Sequence, residues 1–168
     1  MTVRTIVRFP DHRLRAKAQP VVIFNDDLSS LAIDLLDTMR AASGIGITAP
    51  HIGVLKRMVV VELVAAERVR IYVNPWLVWA SAEMIRHKEG SVSMPGVTEE
   101  IERHGHVRVS YQDLSGMEKV EEADDLLSVC LQHEIDQLDG IFWIDRLSRL
   151  KRDRVVKRFV KTQRTEVG

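Results

Sequence analysis

The order of the periodic segments is what most restricts this chain. One helical stretch comes first, a long run of strand-like segments follows, and two helices close the sequence. Leu28, Leu31, Ala32, Leu35, Leu36 and Met39 recur at helical spacing, which predicts a helix from about Asp26 to Ala42, capped by Asn25 or Asp26. The glycine-rich turn Ser43-Gly44-Ile45-Gly46 ends it. Apolar, β-branched runs follow at Met58–Leu63 and Val69–Val73, the second stopped by Asn74-Pro75. Trp76–Arg86 reads as extended and leads into a loop over Glu89–Gly96. Val107, Val109 and Tyr111 alternate with Arg108, Ser110 and Gln112, as in a half-buried strand, and Met117–Glu122 is its expected hairpin partner. Asp124 or Asp125 then caps a helix reaching Leu138 and closed by Gly140. A last helix spans about Ser148–Thr162. Strands that are not interleaved with helices do not make repeated βαβ units, so the expected class is α+β.

At 168 residues the chain fits one domain, 1–168, large enough to fold without a metal or a disulfide framework. The lone Cys130 excludes an intramolecular disulfide and any zinc site built from several cysteines. No stretch approaches the roughly 18 apolar residues of a membrane span. Arg4, Arg8, Asp11 and His12 leave the N-terminus without the apolar core of a secretory signal. A cytoplasmic location without a membrane partner is therefore expected. The net charge is zero, but residues 146–168 hold nine Lys and Arg against Asp153 and Glu166. That segment carries +7 and the rest −7, so the last helix, 148–163, is suited to an anionic partner.

The strongest chemical signal is Gln132-His133-Glu134-Ile135-Asp136-Gln137 on the second helix. An H-E-x-x-H helix binds a metal through two histidines one turn apart and uses the Glu as base. Here the second histidine position holds Gln137. Taken alone, His-Glu on a helix is most often a solvated or structurally paired surface feature.

Two further segments change that weighting. Gly44-Ile45-Gly46-Ile47-Thr48-Ala49-Pro50-His51 and Glu89-Gly90-Ser91-Val92-Ser93-Met94-Pro95, taken with Gln132–Leu138, resemble the peptide deformylase motifs G-x-G-L-A-A-x-Q, E-G-C-L-S and Q-H-E-x-D-H. They stand in that family's order at comparable separations. Arg8–Arg15, Val73-Asn74-Pro75 and Asp145-Arg146-Leu147 extend the likeness over essentially the whole chain. The resemblance implies mixed or antiparallel sheets packed around a central helix bearing the His-Glu motif, with a C-terminal helix. It implies hydrolysis of the N-formyl group of N-terminal formyl-methionine on nascent proteins. The family uses a divalent metal, iron(II), zinc or nickel, held by the motif Cys and two His.

Carried over position by position, His133 matches the first His ligand and Glu134 the general base. Ser91 stands where the Cys ligand would be and Gln137 where the second His would be. His51 replaces the Gln that stabilises the oxyanion, and Val92 supplies the backbone N–H donor. Gly44, Ile45, Gly46, Glu89 and Gly90 are the expected substrate-binding walls, able to hold an extended peptide. A serine hydroxyl and an amide carbonyl are neutral oxygens poorly suited to zinc or iron(II), so the metal is expected to be absent or weakly bound. Without it, nothing lowers the pKa of the attacking water. Deformylase activity is expected to be impaired or lost.

Three readings follow. The first keeps the fold and binds formylated or other N-terminal peptides without efficient hydrolysis. In the second, His51 and His133 hold a metal with Glu134 or Ser91 while Gln137 donates to the oxyanion. The third is a ribosome or nascent-chain binding module acting through the basic helix, since deformylases end in a helix that docks on the ribosome. Oligomeric state is not legible. Cys130 reads as core packing although it lies one turn before Glu134, and Asp136 as a structural pair. His104 and His106 read as exposed polar residues. Ser91 lacks the G-x-S-x-G elbow of many serine hydrolases.

Overall fold

The computed structural model describes residues 2–168. Helix α1, Asp26–Ala41, begins where Asn25 accepts a hydrogen bond from the Leu28 N–H, and it buries Leu28, Leu31, Ala32, Leu35 and Met39 as the periodicity predicts. Against that stripe pack strands β1, Gly46–Thr48, and β2, Met58–Val61, with the 3-10 turn Ala49–Ile52 between them. Strands β3, Arg70–Ala80, β6, His106–Gln112, and β7, Glu118–Asp124, complete a five-stranded sheet in the order β1-β2-β3-β6-β7. A separate hairpin pairs β4, Met84–Ser91, with β5, Met94–His104. All pairings between these strands are antiparallel.

Helix α2, Asp125–Leu138, lies between the sheet and the hairpin. Its Leu131, Ile135 and Leu138 are buried against Val59, Val61, Tyr72, Val107 and Val109 of the sheet. At ~1.5–3 kcal/mol for each fully buried aliphatic side chain, this packing fixes the helix in place. Helix α3, Arg149–Glu166, starts at Ser148, whose hydroxyl accepts from the Lys151 N–H. It buries Val155 and Phe159 in a third cluster with Met94, Val97, Ile101, Phe142 and Trp143. Among the described residues, no helix is long and apolar enough to cross a membrane.

Three local expectations are corrected. Asn74-Pro75 does not stop a strand: β3 runs through it. Asn74 takes a left-handed φ of 52° and its side chain bonds both backbone groups of Val21, while the register slips between Val73 and Trp76. The pair is thus a β-bulge, the setting in which a strand tolerates a proline. The segment Trp76–Arg86 is not one extended piece, because a turn at residues 81–83 separates β3 from β4. Glu89–Gly96 is not a loop but the far end of the β4–β5 hairpin, where Ser91 pairs with Met94.

The two histidines read as exposed are both engaged. His104 is half-buried and bonds the Ser81 carbonyl through Nδ1 at 2.7 Å, and its own carbonyl accepts from Ser128 and Gln132 of α2. His106 lies between Asp124 and Glu122, whose carboxylates raise its pKa.

Candidate functional site

Helix α2 brings Cys130, His133 and Glu134 to one side, because residues three and four apart share a helical face. All three line a cavity of about 410 Å³. Gly44, Ile45, Gly46 and His51 form a second wall, and Glu89, Gly90, Ser91 and Val92, at the hairpin tip, form a third. Eleven of the residues singled out in the sequence therefore meet around one space.

The two glycines are there for close approach. Helix α1 is turned off by Ser43, at φ 54°, not by a glycine. A Cβ on Gly46 would lie 2.6 Å from Glu134 Oε1 and 2.8 Å from Cys130 Sγ, and one on Gly44 would lie 2.8 Å from a Val92 methyl. Strand β1 can pass over the His-Glu turn only because it carries no side chain there.

Gln137 is one further turn along the same face, yet it does not line the cavity. Its Nε2 donates to the Leu14 carbonyl at 2.6 Å, tying α2 to the N-terminal segment. The reading in which Gln137 donates to the oxyanion while His51 holds a metal would need both at one space, and only His51 lines it. Ser91 Oγ accepts from the Ser93 N–H at 3.1 Å and makes no hydrogen bond to His133.

His133 is oriented by Glu89, whose Oε1 lies 2.8 Å from its Nδ1. Glu89 is itself gripped by Arg103 at 2.8 and 2.9 Å, and Arg103 also bonds Asp136 at 2.6 Å. Burial raises the Glu89 carboxyl, but the bonds from Arg103 and His133 outweigh that and hold it down at about 2. Burial lowers the His133 pKa, and the neighbouring Glu89 and Glu134 carboxylates more than reverse it. The expected wall residue Glu89 is thus fully engaged in positioning His133. Asp136 is the structural pair that was expected, held by Arg103 and by Arg146.

Glu134 has no cationic grip of this kind. Burial pushes its carboxyl up to about 7, against the pull of His133, and Oε2 has no hydrogen-bond partner. His51 is 1% exposed; burial and the His133 charge lower its pKa to about 3, so it is neutral. Its 3.9 Å approach to Glu134 Oε2 is therefore not an ion pair. Nδ1 of His51 accepts from the Thr48 N–H at 2.9 Å and Nε2 has no partner. Cys130 is core, as expected, and cavity wall as well; burial and the two carboxylates keep it a thiol.

A family model described as "Polypeptide deformylase" matches residues 3–153. The chain belongs to the polypeptide deformylase family. A protein of Brucella melitensis named "Peptide deformylase-like" is 65% identical over 98% of this chain and all of its own length. The "Peptide deformylase" of Bartonella tribocorum is 43% identical over 96% of this chain and 93% of its own. The crystal structure of a peptide deformylase from Legionella pneumophila superposes with a TM-score of 0.94 at 36% identity, covering 99% and 98% of the two chains. The peptide deformylase fold expected for this chain is confirmed.

The family's metal does not fit this donor set. A catalytic zinc or iron site takes three good protein ligands. Here Gln137 is committed to Leu14, Ser91 offers a neutral hydroxyl, and His51 has its Nδ1 occupied as an acceptor. His133, with its Nδ1 bonded to Glu89, is the one family ligand position that still holds an imidazole. Among the described residues, no group of three or more His, Cys, Asp and Glu is placed to hold a metal ion.

Sequence reasoning missed Arg103 and Thr48. Arg103 was hidden in the polar run 98–104, although Val97, Ile101 and Arg103 keep a strand's spacing toward one face. Thr48 was visible as a further departure from the motif that holds His51.

Proposed function

We propose that this deformylase-family chain binds formylated or other N-terminal peptides and hydrolyses the formyl group weakly or not at all. The observation that carries the reading is the Gln137 amide, bonded to the Leu14 carbonyl and outside the cavity. With it goes one of the three ligand positions that the family reaction requires. Gly44, Ile45, Gly46 and Gly90 line a cleft of the size small ligands use, and the Val92 N–H in the hairpin turn has no protein acceptor among the described residues. His51, at the motif's oxyanion-donor position, lines the same cavity. Glu134 is the general base of any residual hydrolysis, a role supported by burial that raises its carboxyl to about 7.

A rearranged metal site on His51 and His133 is disfavoured by the Thr48 N–H, which already occupies His51 Nδ1. Coordination through Nε2 would require the proton to sit on Nδ1, facing another N–H.

The test is metal content and turnover together. After anaerobic purification with iron(II), nickel or zinc, elemental analysis is expected to find far less than one metal per chain. Formyl-methionyl peptide is then expected to turn over close to the uncatalysed rate. The combined Ser91→Cys, Gln137→His and His51→Gln variant is expected to gain both metal and activity. Stoichiometric metal with family-like turnover in the native chain would overturn the reading.

A further inference from the structure

We propose that Thr48 is a positioning residue that holds His51 as its Nε2–H tautomer, so that the ring faces the cavity as a fixed donor to a ligand acyl or carboxylate oxygen. The inference rests on the peptide-binding function proposed above and names the group that receives the ligand oxygen.

A neutral imidazole has one hydrogen, and the partner of one nitrogen decides where it sits. A backbone N–H can only donate. The Thr48 N–H lies 2.9 Å from His51 Nδ1, so Nδ1 is the acceptor and the hydrogen is on Nε2. The Thr48 hydroxyl lies 2.9 Å from the same Nδ1 and adds a second donor. The backbone is held as well: the His51 carbonyl accepts from the Val7 N–H at 2.8 Å, and Pro50 stiffens the 3-10 turn.

The departures at 48 and 51 are therefore one unit. Thr48 stands where the motif has Ala and His51 where it has Gln, and the two side chains touch. An Ala at 48 would leave Nδ1 a single donor. What the family obtains from an amide N–H, this chain obtains from an imidazole N–H whose other nitrogen is tied down.

His51 Nε2 is buried, has no protein partner, and belongs to a cavity-lining side chain. A buried donor left without an acceptor is unfavourable. A ligand oxygen at that place supplies the missing acceptor, and Val92, whose N–H has no protein acceptor among the described residues, lines the same cavity. Formate, a formylated peptide or a short N-acyl peptide carries such an oxygen.

The experiment uses the full chain, labelled with 15N and kept in EDTA, with formyl-Met-Ala-Ser as probe. Long-range proton–nitrogen correlation is expected to show His51 Nε2 protonated and Nδ1 not, and the Nε2–H signal is expected to move when peptide binds. His51→Ala is expected to weaken binding about tenfold, the equivalent of one hydrogen bond of ~1.4 kcal/mol. His51→Gln, which restores an amide donor, is expected to stay within about threefold of the native chain. Thr48→Val keeps the side-chain shape and is expected to broaden the Nε2–H signal and weaken binding severalfold.

A protonated Nδ1, or native affinity in His51→Ala, overturns the inference while bound peptide leaves the proposed function standing. An unchanged spectrum in Thr48→Val overturns the role given to its hydroxyl. Peptide that does not bind the native chain overturns the proposed function and the donor role with it.

Discussion

Glu134 is a carboxyl in a site that gives it no cation of its own. Its neighbour Glu89 has two bonds from Arg103, while Glu134 has the partly shared charge of His133 and an oxygen with no partner. Burial therefore raises it to about 7, from an ordinary value of 4.5. A carboxyl raised on folding is protonated in the native state over a range where the unfolded chain has already lost the proton. Stability from this group is full below about pH 4.5 and is lost as pH rises through about 7. Glu134→Gln removes the ionisation and keeps the shape. The variant is expected to match the native chain at pH 4.5 and to exceed it by about 1–3 kcal/mol at pH 8. Urea unfolding at the two pH values measures this, and an equal effect at both would mean that Glu134 does not titrate in the fold. At this scale the identity of the departures was legible but not their direction. Ser91 and Gln137 could be read as lost ligands, whereas the swing of Gln137 toward Leu14 depends on a carbonyl 123 residues away.

The β4–β5 hairpin presents the site to α2, and a buried ionic chain joins them. Arg103 of β5 bonds Glu89 of β4 and Asp136 of α2, and its side chain and that of Glu89 are almost fully enclosed. Such a network is costly to break at one member, because the remaining charges stay buried without partners. Arg103→Ala is expected to destabilise the chain by about 3–5 kcal/mol, measured by urea unfolding at neutral pH. It is also expected to free Glu89 and let the His133 ring reorient, which loses the Glu89 contact in a nitrogen spectrum. A loss under 1 kcal/mol would show that the hairpin is held by Met94, Val97 and Ile101 alone. The helices α1 and α2 were legible because their apolar positions are local and periodic. The hairpin was not, because its inward positions mix Glu89 and Arg103 with valine and isoleucine, and a Pro-Gly at 95–96 reads as a loop. Asn74-Pro75 misled in the same manner: what makes it a bulge is the distant backbone of Val21.

Over the whole molecule, the charge asymmetry seen in the sequence becomes a spatial one. Helix α3 covers Phe9, Phe142 and Met94 with Val155 and Phe159, so its apolar stripe belongs to the core. Of the nine cations from 146 onward, Arg146 pairs with Asp136 and Arg158 with Glu99. The other seven make no ion pair among the described residues, and Lys157, Lys161 and Arg164 are exposed on the helix. Packing thus accounts for the stripe and leaves the charge unexplained, and the affinity of this surface for an anionic partner such as ribosomal RNA is a prediction of its own. Truncating the helix cannot test this, because it would strip the core beneath. Reversing Lys157, Lys161 and Arg164 to Glu changes only solvent-facing groups. This variant is expected to keep the native melting temperature within a few degrees and to lose ribosome co-sedimentation at low salt. The slope of log affinity against log salt is expected to fall by about three, one for each phosphate contact removed. Co-sedimentation that is insensitive to salt, or equal in both proteins, would leave the helix as packing alone. The cleft and the helix would then have to be judged separately, since peptide binding at Gly44–Gly46 needs none of these cations.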